Sequence, residues 1–418
     1  MKILFLQKRL LFPANSGGKI RTLNVLRHLA RWHEVTYLCN IQSGDDKYAD
    51  EMRDLGVRLE TIPWAEAPRG SFRFYGELTR NLFSPHPFNV DKDFDPRLRR
   101  RASELLAAEP FDLLICDFVQ MARNAIGLDA PAKLLFTHNV EAQIFRRHAR
   151  NGSGWLRRRF MSYQWRKMRR FEGEAGKGFD GVVAVSNRDQ QSFESDYGWQ
   201  HAHVIDTAVN VEYFQPQAES EKPGHVLFIG SLDWTPNEEG VEHFVRNVWP
   251  EVRKRHPQAV FQVVGRNPPA SVTRLGEVPG VEVVGTVPDV RPYVAQAAVV
   301  VVPLFVGGGT RLKIFEAMAM NKAVVSTSLG AEGLDVIDGE HIRISDADSD
   351  FAQAVSELLS DSPKRARLAE NACRLVQESF SAETVARQFD QICRETVAAA
   401  ARSGSDVTSV GEQPDGMA

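Results

Sequence analysis

Short apolar runs alternate along the chain with segments whose apolar residues recur at helical spacing, the pattern of a parallel sheet covered by helices. In the first half the runs predict strands at Lys2–Leu6, Glu34–Cys39, Val57–Ile62, Leu113–Cys116, Lys133–Phe136 and Gly181–Val185. In the second half they predict strands at Val226–Ile229, Val260–Val264, Val281–Val284, Val299–Val302, Ala323–Ser326 and Ile342–Ile344. Between the first two runs, Ile20, Leu23, Leu26 and Ala30 mark a helix over Ile20–Arg31. A last helix is predicted over Ala382–Ala400, with Val385, Phe389, Ile392 and Val397 as its apolar stripe. The pattern reads as α/β, with two Rossmann-like halves.

A polar, proline-containing stretch at Phe214–Gly224 separates the halves. The expected division is a first domain over residues 1–214, a second over 215–381, a closing helix over 382–401, and a disordered tail over 402–418. At 418 residues the chain exceeds what one core serves, which agrees with two domains. A mean hydropathy of −0.30 excludes a multi-span membrane protein, and the most apolar stretch, Ala297–Val306, is too short to cross a bilayer. The apolar run after Met1 is too short for a signal peptide. Four widely spaced cysteines without a C-x-x-C pair argue against a disulfide framework or a zinc site. A cytoplasmic protein is expected, peripheral on the inner face of the plasma membrane.

In open α/β sheets ligands bind beyond the carboxyl ends of the strands, so the loops after each strand are where chemistry is sought. After the first strand, Gly17 and Gly18 directly precede a helix, where backbone N–H groups can approach an anion. A Walker A loop is excluded because Ile20 follows Gly18-Lys19 and Pro13 holds the leading glycine position. A plain turn capped by Ser16 is the competing reading. The fifth strand ends in Phe136-Thr-His-Asn-Val-Glu141, where His138 suits a polar ligand contact or proton handling, or a purely structural role. The second half opens with Gly230-Ser231 between a strand and a helix, and later strands end in turns at Gly265-Arg266 and Gly285-Thr-Val287.

The strongest segment runs from Val302 to Met320: a strand, then Gly307-Gly308-Gly309, then a helix whose first turn carries Thr310, Arg311, Leu312 and Lys313. Exposed amides, the helix dipole and two cations together describe a diphosphate site. Glu316 lies about one turn further, where a carboxylate can accept hydrogen bonds from a ribose diol. A solvated Lys313–Glu316 pair is the alternative. The string Asp346-Ala-Asp-Ser-Asp350 lacks the glycine of a calcium loop and is expected to cap the helix Phe351–Leu359.

These halves, the Gly-Gly loop and the Thr-His-Asn turn resemble group-1 (family 4) glycosyltransferases of the GT-B fold, in which two Rossmann-like domains face a cleft and the last helix crosses back to the first domain. The segment from Val302 to Gly333 is similar to the sugar-transferase subfamily associated with exosortase (PEP-CTERM) exopolysaccharide clusters. The resemblance implies a retaining, metal-independent transfer from a nucleotide-sugar co-substrate, with no cofactor, to a saccharide or lipid-linked acceptor. It implies catalytic roles for His138, Arg311 and Lys313. Gly17, Gly18, Gly230, Ser231, Arg266, Val287, Gly308, Gly309, Thr310, Leu312 and Glu316 would form the nucleotide and donor site. Glu316 matches the second glutamate of the family's Glu-x7-Glu motif, Gly308 replaces the first, and Gly230-Ser231…Asn237 stands where the family often has Gly-Arg…Lys. A nucleotide-sugar epimerase and a non-catalytic nucleotide-sugar binder are the rival functions on the same fold.

Charge alters the picture in one place. The net charge is −3, yet Ala142–Phe171 holds ten Arg or Lys residues and no Asp or Glu. Trp155 and Trp165 are interleaved with Arg157, Arg158 and Arg159, a combination suited to an anionic membrane surface on the acceptor side. A solvated basic helix and a nucleic-acid partner are the alternatives; no nucleic acid is expected.

Overall fold

The computed structural model describes residues 1–14, 16–68, 70–151, 154–217, 221–305 and 312–409, with residues 151 and 403–409 described by their backbone alone. It divides into two units, Met1–Asp206 with the chain from Val385 onward, and Thr207–Thr384.

The first unit holds a seven-stranded parallel sheet: β1 (Lys2–Gln7), β2 (Glu34–Ile41), β3 (Arg58–Pro63), β4 (Leu113–Asp117), β5 (Lys133–Phe136), β6 (Gly181–Ala184) and β7 (Ala202–Val204). Its order is β3-β2-β1-β4-β5-β6-β7. Alternate residues serve opposite faces. Leu4, Leu6, Leu114, Cys116 and Leu135 pack in one core cluster, while Ile3, Phe5, Ile115 and Phe136 are buried on the other face. Both faces of a parallel strand are covered, so its residues are apolar almost without interruption.

The second unit holds a six-stranded sheet: β8 (His225–Ile229), β9 (Val260–Val264), β10 (Val281–Gly285), β11 (Val299–Val302), β12 (Ala323–Ser326) and β13 (Arg343–Ile344). The order is β10-β9-β8-β11-β12-β13. The same alternation sends Val226, Phe228, Val299 and Val301 to one cluster and Leu227, Ile229, Val300 and Val302 to the other.

The helix Ala382–Ser409 belongs to the first unit from Val385 onward. Phe389 is fully buried and meets Phe136 with ring centroids 4.9 Å apart. Asp390 takes a 2.6 Å contact from His33 Nε2.

Four expectations change. The division between units falls at Asp206/Thr207, before the polar stretch at Phe214–Gly224. The last helix includes residues 402–409, assigned above to a disordered tail: it continues a helix anchored by its buried stripe despite the weak helix formers Gly404, Ser405 and Asp406, and residues 410–418 lie outside the described residues. Strand β7 was not foreseen; three residues at a sheet edge carry no period to read. Caps differ too. Ser16 makes no side-chain cap bond to the helix Gly17–Trp32. The helix Asp348–Ser360 has none from Ala347; instead Asp346 accepts from the Ser328 N–H at 2.8 Å, and Asp348 meets His243 Nε2 at 2.7 Å. Those carboxylates find fixed donors in neighbouring loops, so they do not turn back onto their own helix.

Candidate active site

In the first unit the chain leaves β1 and β4, adjacent strands in the middle of the sheet, in opposite directions, and that switch point opens a crevice beyond their carboxyl ends. Asp117 ends β4 there and is fully buried. Its Oδ1 lies 2.6 Å from His138 Nε2. Its Oδ2 accepts from Thr22 Oγ1 at 2.7 Å and from Gln7 Nε2 at 2.8 Å. On the far side of the ring, Arg21 Nη1 stands 3.3 Å from His138 Nδ1.

A guanidinium only donates, so Nδ1 offers its lone pair and the imidazole proton sits on Nε2, facing Asp117. Burial favours the same neutral form and holds His138 below the usual histidine range, against the pull of Asp117. Both ring nitrogens are engaged. Proton handling by His138 therefore requires Arg21 to withdraw.

The ring is also clamped by aromatics. Phe118 stacks on it with centroids 4.0 Å apart, and Phe136 tilts against it at 4.5 Å. Phe118 holds a φ of 71°, an uncommon conformation for a bulky residue. Gly18 explains how the ring fits: a Cβ there would stand 2.6 Å from Phe118 Cζ. Gly17 differs, since a Cβ there would meet nothing within 4 Å. Of the two glycines, only Gly17 leaves its surroundings open.

In the second unit the switch point lies between β8 and β11. Gly230 and Ser231 follow β8, and the helix Leu312–Ala319 carries Lys313 and Glu316. Lys313 Nζ donates to Asn237 Oδ1 at 2.8 Å and sits 4.4 Å from the centre of the Phe228 ring. Asn237 Nδ2 in turn donates to the Ser231 carbonyl at 2.7 Å. A Cβ on Gly230 would stand 2.8 Å from both Asn237 Nδ2 and Lys313 Nζ, so glycine makes room for the ammonium group. Lys313 is thus turned toward the end of β8. The Glu316 carboxyl is crowded by protein although the residue keeps some surface, and burial pushes it up to about 7, with Lys313 pulling the other way.

Arg266 is exposed and donates through Nε to Ser231 Oγ at 2.5 Å. Val287 is half-buried against the core, and Leu312 opens its helix. Gly308, Gly309, Thr310 and Arg311 lie outside the described residues. Trp155, Arg157, Arg158 and Arg159 are exposed on the helix Trp155–Ala175, while Trp165 is half-buried with Arg146 over its ring.

Sequence reasoning did not single out Asp117, Arg21, Thr22 or Gln7. The available signal was an acidic residue closing an apolar strand: a charge at the carboxyl end of a central strand has no structural reason to be there.

Two family descriptions match the chain: "Glycosyltransferase Family 4" over residues 15–213 and "Glycosyl transferases group 1" over residues 223–361. An uncharacterized 44.6 kDa protein in the cps region of Klebsiella pneumoniae is 22% identical over 409 residues, covering 94% of this chain and 99% of the relative. Among solved structures, sucrose-phosphate synthase from Thermosynechococcus elongatus aligns with a TM-score of 0.66 at 18% identity, over 96% of this chain and 100% of that one. Anabaena HepE, solved in complex with UDP and glucose, aligns with a TM-score of 0.63 at 15% identity, over 94% and 98%. The chain is a glycosyltransferase of the GT-B fold, a family-4 domain followed by a group-1 domain.

Proposed function

We propose that this glycosyltransferase moves a sugar from a nucleotide-sugar to a lipid-linked saccharide acceptor in bacterial exopolysaccharide biosynthesis, retaining anomeric configuration and using no metal. The observation that carries the donor reading is the Lys313 ammonium, held by Asn237 against Gly230 at the carboxyl end of β8. It puts a positive charge where the family's Gly-Arg…Lys pair would put one, beside Glu316 for the ribose. Charge building on the departing diphosphate is met there by Lys313; Arg311 and the glycine run keep the role that the sequence assigns them. The complexes of HepE with UDP and glucose support a nucleotide-sugar donor. The cps-region relative supports an exopolysaccharide role, the setting also of the exosortase-associated subfamily.

Peripheral attachment to an anionic membrane surface belongs to this proposal. The basic stretch forms two helices, Glu141–Asn151 and Trp155–Ala175, with Arg146, Arg147, Arg150, Arg157, Arg158 and Arg159 all exposed. No described helix is long and apolar enough to cross a membrane, so contact with lipid would be at the surface.

A thermal-shift screen with UDP-, GDP-, ADP- and dTDP-sugars tests the donor reading. A ligand at 100 times its Kd adds about 2.7 kcal/mol, a clear shift. Glu316→Ala should weaken nucleotide binding by about 1.5–3 kcal/mol, the range for hydrogen bonds to a charged group. Unchanged affinity in the folded variant sinks the ribose role. His138→Ala should lower turnover more than nucleotide affinity. Release of nucleoside diphosphate without any acceptor would instead favour an epimerase.

A further inference from the structure

The first unit contains a pocket that none of the donor chemistry uses. It is walled by Trp64, Phe94, Arg73, Arg80, Lys92 and Arg123. Trp64 directly follows β3 and donates its N–H to the Ile41 carbonyl at the end of β2, and Arg123 lies on the segment after β4. The pocket therefore opens at the carboxyl edge of the sheet, the edge that carries Asp117 and His138.

Its roof is the helix Phe72–Leu82, which has three faces rather than two. At 3.6 residues per turn, Phe74, Leu78 and Asn81 share one face. That face packs inward: Phe74 meets the Phe88 ring at 5.6 Å, and Asn81 is buried, accepting from Gln164 Nε2 at 2.8 Å and Lys167 Nζ at 2.6 Å. Arg73, Glu77 and Arg80 form the second face and line the pocket. Phe72, Tyr75, Leu82 and the following Phe83 form the third and lie open, Phe72 at 99% and Phe83 at 89% exposure. Apolar rings held out to water beside a cationic face call for an amphiphilic partner.

The pocket's charges narrow the partner further. Arg73 pairs with Glu77 at 3.0 Å, Lys92 with Glu66 at 2.5 Å, and Arg123 with Asp91 at 2.8 Å while lying 4.0 Å over the Phe94 ring. Arg80 is the cation of this group with no carboxylate in salt-bridge reach among the described residues, and it stands on the flank next to the open apolar face. Three of the four lining cations are thus matched by a carboxylate, and Arg80 is the positive charge the pocket leaves for a ligand. Aromatic walls at Trp64, Phe88 and Phe94 suit the apolar faces of sugar rings.

We propose that this pocket holds the acceptor: a saccharide joined through a phosphate or diphosphate to a lipid, with Arg80 binding the phosphate, the aromatic walls the sugar, and Phe72, Tyr75 and Phe83 the first part of the lipid chain. The proposal rests on the lipid-linked acceptor reading above and names its site.

Isothermal titration of the full chain with farnesyl diphosphate, farnesol and inorganic pyrophosphate tests it. Farnesyl diphosphate should bind, and the alcohol and pyrophosphate each far more weakly. Arg80→Ala should weaken farnesyl diphosphate at least about tenfold, as loss of a charge-assisted hydrogen bond does, with Arg80→Lys intermediate. Phe72→Ser with Phe83→Ser should weaken it without changing what pyrophosphate does. UDP binding should be untouched in all these variants. Equal binding by Arg80→Ala overturns the proposal, and so does displacement of farnesyl diphosphate by UDP, which would assign the diphosphate to the donor site. Binding to phosphatidylglycerol vesicles with none to farnesyl diphosphate also overturns it, since the helix would then be a membrane-docking face only. Failure of UDP to bind while farnesyl diphosphate binds would remove the donor reading and leave this one standing.

Discussion

Gly17 and Gly18 are neighbours in one helix turn, and their missing side chains serve different ends. A methyl at Gly18 collides with the Phe118 ring that stacks on His138. Gly18→Ala should therefore destabilise the first unit by about 1–3 kcal/mol, the usual cost of overpacking. Gly17→Ala meets open space and gains helix propensity, so its melting temperature should hold or rise. If Gly17 admits a ligand to the helix N-terminus, activity should fall in Gly17→Ala without any loss of stability. Equal melting temperatures for the two variants would refute this division of roles.

At the scale of elements, the helix Glu141–Asn151 owes its start to a residue on another helix. Glu172 is fully buried and accepts from the N–H groups of Glu141 at 2.8 Å and Ala142 at 3.0 Å, and from Tyr197 Oη at 2.8 Å. Burial nevertheless dominates and pushes its carboxyl up from the ordinary 4.5 to about 7. Between those values the folded chain holds a proton that the unfolded chain has released. The stabilisation is complete below 4.5 and is lost as pH rises through about 7. Relative to Glu172→Gln, the wild type should lose up to about 1.4 kcal/mol per pH unit across that window, read by urea denaturation. Parallel pH profiles would contradict it. The closing helix offers a second test. Phe389→Ala removes a buried ring packed on Phe136 and should cost the first unit about 3–5 kcal/mol.

Over the whole molecule, charge is segregated: a chain of net charge −3 concentrates ten cations in Ala142–Phe171. If that segment docks on anionic lipid, vesicle binding should require anionic headgroups and fall steeply with salt. Neutralising Arg157, Arg158 and Arg159 together should remove about 3 kcal/mol of binding. Transfer to a short water-soluble acceptor should survive the change, because the donor and catalytic residues lie elsewhere in the chain. Binding indifferent to lipid charge would dismiss the idea.

The sequence by itself determined the twelve strands that were read from it, the doubling of the α/β pattern, and the loops where chemistry gathers. Those features are written locally: a strand buried on both faces must be apolar along its length, and a helix must repeat its apolar residues each turn. Lys313 and Glu316 were legible because a glycine run, a helix start and cations lie together in the chain. The tertiary structure decided which groups meet. Thr22 and Asp117 are 95 residues apart, and Lys313 and Asn237 are 76 apart. The order of parallel strands alone brings such pairs to one edge. The direction of Lys313 toward Asn237, the clamp of Phe118 on His138, and the three faces of the helix Phe72–Leu82 depend on what packs against each residue. No local period records a neighbour supplied by a distant strand.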